Sequence, residues 1–78
     1  MSIAVRVDEL ALRGEMLKHG MTKFSELASD SGIPKSTVDN MVAGRNAPSQ
    51  QTIQAIFDAL PHSKVEDLFA IFFTHEVT

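Results

Sequence analysis

Between Pro34 and Ala43 the chain gathers polar side chains whose chemistry is complementary to base edges. Lys35 is a cationic donor of the kind that meets the O6 and N7 acceptors of guanine. Asn40 carries an amide that can bond adenine through donor and acceptor together, and Ser36 has a hydroxyl that adapts to either. Thr37 and Asp39 flank them. Asp39 can accept from cytosine, repel phosphate, cap the chain locally or do nothing. Lys23 on one side and Arg45 and Asn46 on the other are groups suited to holding a phosphate backbone. The same residues also suit the solvated face of a short helix, and the cations serve solubility equally well.

Other chemistry finds less material. His19, His62 and His75 are far apart and lack ligand spacing, so no metal site is expected. There is no cysteine, which excludes disulfides and thiolate ligands and fits a reducing compartment. Serine and threonine are plentiful, but no pattern pairs one with a base, and 78 residues leave little room for a catalytic pocket. The expectation is a protein without catalytic residues or cofactors.

Short helices must position the polar cluster. Asp8 can cap a first helix running to about His19 and stopped by Gly20. Leu10, Leu12, Met16 and Leu17 are its expected buried side. A second helix begins near Lys23 or Phe24, turns Leu27 and Ala28 inward and ends at Ser31-Gly32. Pro34 suits the first turn of a third, about Pro34 to Ala43, with Val38, Met41 and Val42 as its apolar stripe. Ser49 caps a fourth, in which Ile53, Ile56, Phe57 and Leu60 repeat at i, i+3, i+4 and i+7, and Pro61 stops it. Ser63-Lys64-Val65-Glu66 matches a capping box for a fifth helix, with Val65, Leu68 and Phe69 turned inward. Ile3, Val5 and Val7 alternate as in a short strand. The run Phe69 to Thr74 either continues the fifth helix or pairs with residues 3–7, and its alternation favours the strand.

Hydrophobic content of 44% is that of a folded chain. No apolar run approaches the ~20 residues of a membrane span, and residues 1–6 lack the order of a signal peptide. Net charge is −3, but all seven basic residues lie within residues 1–64, balanced there by seven acids. The excess comes from Glu66, Asp67 and Glu76. A neutral body can place a few cations on one face, with weak long-range attraction to phosphate.

Residues 24–43 form a unit of defined geometry. Ala28 is small enough for two helices to cross closely, Gly32 tolerates the positive φ of the turn, and Leu27, Ile33, Val38 and Met41 pin both helices to the rest. With Leu27-Ala28, Gly32-Ile33, Ser36-Thr37-Val38, Gly44, Pro48-Ser49 and Leu60 in this order, the chain resembles the Cro/cI-like (Xre-type) helix-turn-helix family over roughly residues 8–61. It departs from the family at Phe24, where glutamine is frequent, at Pro34, and in a spacer longer by one residue before Leu27.

The resemblance implies an all-α, five-helix, lambda-repressor-like fold in a single domain, 1–78, with a short two-stranded β pairing of the termini as an option. It implies a transcriptional regulator of the phage-repressor kind, working in the cytoplasm of a bacterial or phage-infected cell on a double-stranded DNA operator. Lys35, Ser36 and Asn40, with Thr37 and Asp39, would then meet base edges, and Lys23, Arg45 and Asn46 the backbone. Phe24 is either a core residue or, if exposed, a protein contact. The apolar tail within 65–78, with Phe69, Ile71, Phe72 and Phe73, is expected to make a homodimer. The alternatives are an antirepressor of the same fold that binds a repressor, or an antitoxin using the tail for its toxin; the neutral reading of the tail is core filling.

Overall fold

The computed structural model describes the backbone of residues 2–77 and the side chains of residues 5–73. The elements run β1 (Ser2–Val7), α1 (Glu9–Lys18), α2 (Phe24–Ser31), α3 (Lys35–Val42), α4 (Gln50–Ala59), α5 (Val65–Ile71) and β2 (Phe72–Val77). Local signals set most boundaries. Asp8 caps α1 by accepting from Ala11 N at 3.2 Å, and Ser49 caps α4 by accepting from Thr52 N at 3.2 Å. Each removes one of the unpaired amide groups with which a helix begins. Gly20 and Gly32 carry φ of 76° and 75°, the left-handed conformation that ends a helix and that a side chain resists.

The termini settle the ambiguity of Phe69 to Thr74. That run is helix as far as Ile71 and strand from Phe72, where β2 pairs antiparallel with β1. The register sets Val7 opposite Phe72 and Arg6 opposite Phe73. Asp8 N donates to Ile71 O at 2.7 Å, so the start of α1 and the end of α5 are tied at the end of the sheet where β1 ends and β2 begins. The expectation for the side chain of Ile3, like that for His75, lies outside the described residues.

The core joins Leu12 and Met16 of α1, Met21, Leu27 and Ala28, Val38 and Met41 of α3, Ile56, Leu60, Leu68 and Ile71. Helix α2 packs on α3 and α4, and α1 on α5. Several expectations need correction. Leu10 and Leu17 are 81% and 62% exposed. Leu10 stands roughly 200° around the helix from Leu12, and Leu17 falls on the stripe of Leu10 rather than that of Met16. In α5, Leu68 and Ile71 are buried, while Val65 and Phe69 share a flank at i and i+4 that faces solvent. Helix α3 begins at Lys35, one residue late, because Pro34 holds ψ at 140° as its N-cap. The capping box is not formed: Lys64, not Ser63, is the N-cap of α5 and no side chain caps it.

Ser63 instead turns its hydroxyl toward α1. Its Oγ is buried without a full hydrogen bond, beside the Glu15 carboxylate. Glu15 is 7% exposed and lies just beneath the surface. The Ser63 hydroxyl, and after it the Lys18 ammonium and His19, hold its carboxyl below the usual range against the opposing effect of burial. Lys18 Nζ bonds Glu15 Oε2 at 3.0 Å and reaches Asp67 Oδ2 at 3.6 Å, bridging α1 to α5. His19 accepts from His62 N at Nε2, 3.0 Å, so its Nδ1–H donates to Glu15 O at 2.9 Å. The two imidazoles stack at 5.6 Å between centroids. Histidines remote in sequence thus meet as a structural clasp, a pairing that sequence spacing does not reveal.

Candidate nucleic-acid interface

The connection from α2 to α3 is built by Ser31, Gly32 and Ile33. Ser31 Oγ donates to Leu27 O at 2.7 Å, and Gly32 N closes on Ala28 O at 3.0 Å. The left-handed Gly32 then turns the chain so that Ile33 packs on the core and α3 leaves in a new direction. On α3, Val38 and Met41 are buried, which leaves positions 35, 36, 39 and 40 for the outer face. Lys35 and Ser36 are exposed, and Thr37, Asp39 and Asn40 are half-buried.

The outer face is already paired within itself. Lys35 Nζ lies 2.9 Å from Asp39 Oδ2, one turn on. Asn40 Oδ1 accepts from Arg45 Nη1 at 3.1 Å, while the amide of Arg45 donates to Asn40 O at 2.9 Å. Gly44, with φ of 78°, bends the chain after α3 so that Arg45 returns over the end of the helix. The expected guanine donor and adenine reader are therefore each engaged by a neighbour. Both bonds are exposed, so exchanging them for base or phosphate contacts costs little.

Lys23 is the exposed N-cap of α2. The turn before it is held by Glu26, whose Oε1 accepts from Thr22 N at 3.2 Å and Thr22 Oγ1 at 3.0 Å. Those two bonds lower the Glu26 pKa from its ordinary value. Phe24 is half-buried against the core, and the Arg13 guanidinium covers its ring at 4.3 Å from the centroid. Arg13 in turn pairs with Glu9 at 3.1 Å. Phe24 is therefore a packing residue, in line with the core alternative. Asn46 is exposed in the loop after α3, its amide 3.4 Å from Asn40 O.

The expected association residues divide. Phe69 and Phe73 are 61% and 47% exposed, and Phe72 is half-buried. Phe57 meets Phe69 edge-on and Phe72 at a tilt, both at 5.8 Å between centroids. Ile71 is fully buried within the chain, so its placement in a contact with another molecule is corrected. The alternation of Phe69, Ile71 and Phe73 did not reveal this, because the helix-to-strand junction at Phe72 changes the period there. No group of metal-ligating side chains is found among the described residues, and no described helix is long and apolar enough to cross a membrane.

A helix-turn-helix family model matches residues 12–68, from Leu12 in α1 to Leu68 in α5. No curated protein and no solved structure matches the chain.

Proposed function

Because the chain belongs to the Cro/cI-like helix-turn-helix family, whose members are DNA-binding regulators and generally not enzymes, we propose that it reads a specific operator with α3 in the major groove and acts as a repressor of the phage type. The observation that carries this reading is the outer face of α3. Lys35, Ser36, Asp39 and Asn40 stand together there, above a helix fixed by the burial of Val38 and Met41. Lys35 and Asn40 are the base readers, with Ser36 and Thr37 adjusting to them. Asp39 holds Lys35 until a base replaces it. Lys23, Arg45 and Asn46 set the register on the backbone.

The exposed apolar residues at the C-terminal end supply the second element, a two-fold dimer through Phe69 and Phe73 that sets two copies of α3 on two half-sites. Selection from a random duplex pool at low and moderate salt tests the reading. One enriched site is expected, with log K falling against log salt at a slope of about −2 to −4 per protomer, since few cations reach the groove. No enrichment even at low salt removes this reading.

A second reading rests on the exposure of Leu10, Leu17, Val65, Phe69 and Phe73 on a chain of net charge −3. It makes the chain a protein-interaction modulator, an antirepressor or an antitoxin, with the apolar surface for its partner. Sedimentation separates the two: a clean monomer at concentrations well above those of DNA binding rules out the homodimer and moves weight to a hetero-partner.

A further inference from the structure

Strand β1 meets the end of α3 and the loop after it at a cleft of about 200 Å³ lined in part by Val5, Arg6, Gly44, Arg45, Asn46 and Ala47. Arg6 enters it from β1. Its Nη1 donates to Gly44 O at 3.2 Å. A Cβ on residue 44 would stand 2.7 Å from that nitrogen, so the glycine that turns the chain after α3 also leaves room for the guanidinium. One N–H direction is thereby used, and a guanidinium has five donors in a planar fork. Arg45 lines the same cleft and spends one Nη1 bond on Asn40.

The charge balance of the cleft is unlike that of the chain's other arginine and of two of its lysines. Arg13, Lys18 and Lys35 each hold a carboxylate within 4.0 Å. Among the described residues neither Arg6 nor Arg45 does, and Glu76, in the partner strand, pairs with Ile3, three rungs from Arg6. Two cations are thus gathered in one concave site, one fixed by a strand and the other by the end of α3. Like charges so placed repel until an anion lies between them, and a fork of N–H donors is the geometry that phosphate oxygens accept.

We propose that this cleft is a phosphodiester site in which Arg6, reaching from the terminal sheet, and Arg45, from the loop after α3, grip one DNA phosphate of each half-site. The proposal rests on the reading of α3 as the DNA-facing helix and adds a ligand from outside the helix-turn-helix. Because β1 is hydrogen-bonded to β2, Arg6 is carried on a paired strand and arrives pre-positioned. It also stands opposite Phe73 in the ladder, so the phosphate grip and the proposed dimer contact share one rung of the ribbon.

Arg6→Gln retains a donor for Gly44 O and removes the charge, so it separates a phosphate ligand from a structural bond. On the duplex selected by the unmodified protein, Arg6→Gln is expected to weaken binding about tenfold, alike on preferred and unrelated sequences, and to make the salt slope shallower by about 0.9 per protomer. Ethylation interference is expected to lose one sensitive phosphate per half-site. Arg6→Lys keeps the cation without the fork, and is expected to keep the salt slope while binding more weakly than the unmodified protein. An unchanged slope and ethylation pattern in Arg6→Gln, or a slope in Arg6→Lys as shallow as in Arg6→Gln, overturns the site while leaving α3 as the reader. Failure of the unmodified protein to select any duplex removes the DNA reading and this site with it.

Discussion

The outer face of α3 and the C-terminal end around Phe69 and Phe73 are both exposed, and they meet solvent in opposite ways. On α3 the polar groups are satisfied in the free chain: Lys35 by Asp39, and Asn40 by Arg45. At the other end Phe69 and Phe73 leave large apolar area in water. Hydrogen bonds and exposed ion pairs exchange partners at small net cost, so the first surface can release one set of contacts and take another. Apolar area has no partner to exchange and gains only by burial, at about 25 cal/mol per Å². The first arrangement suits discrimination between similar ligands, and the second suits lasting association.

The largest effect tests how sharply the C-terminal segment divides. Ile71→Ala is expected to cost about 2–5 kcal/mol in urea unfolding, since it opens a cavity between α1 and α5. Phe73→Ala is expected to cost no more than about 1 kcal/mol in a chain kept monomeric by dilution. Equal losses at both positions would show that Phe73 belongs to the same core, and the division would be wrong.

On the outer face of α3, if it is the reader we propose, Asn40→Ala and Lys35→Ala are each expected to lose about 1–3 kcal/mol on the preferred site and to relax the preference at one base position. Arg45→Ala should weaken all duplexes alike. Titrations of a panel of single-base variants of the site check this. Unchanged binding of the preferred site by both Asn40→Ala and Lys35→Ala would remove α3 as the reader.

Asp39→Ala is expected to act in the opposite direction and tighten binding. Without its carboxylate, Lys35 is unpaired and phosphate is less repelled. Affinity for unrelated duplexes should rise a few-fold and the salt slope steepen by up to about 0.9. Weaker binding to every sequence would instead make Asp39 a direct contact.

The smallest effect lies away from both surfaces. Glu15 has a depressed carboxyl pKa in the folded chain, so the stability it contributes is present above its ordinary value of 4.5 and is lost as pH falls through the depressed one. Lys18, raised by its bond to Glu15, contributes below its ordinary 10.5 and loses that contribution as pH rises through the raised value. Thermal unfolding against pH should show Glu15→Gln flattening the acid limb. An acid limb as steep as that of the unmodified chain would place the responsible carboxylate elsewhere.

Helix order, both side-chain caps, the glycine stops and the α2–α3 turn were legible because each depends on residues within four or five positions of one another. Asp8 and Ser49 bond amides three residues on, and Gly32 determines its own φ. The polar outer face of α3 was legible for the same reason, since the burial of Val38 and Met41 fixes where positions 35, 36, 39 and 40 point. Leu10, Leu17, Val65 and Phe69 were misplaced because hydrophobicity states a preference for burial without naming a neighbour to provide it.

The sequence by itself determined five short helices in a helix-turn-helix order and a polar outer face on the third, because helix periodicity and turn chemistry are local. Tertiary structure alone decided that Arg6 lies against Gly44, 38 residues away, and that His19 receives the amide of His62, 43 residues away. It also decided that Ile71 is core while Phe73 is surface. Contacts across such separations depend on how the helices pack and on the register of β1 with β2, and no spacing within the chain encodes that register.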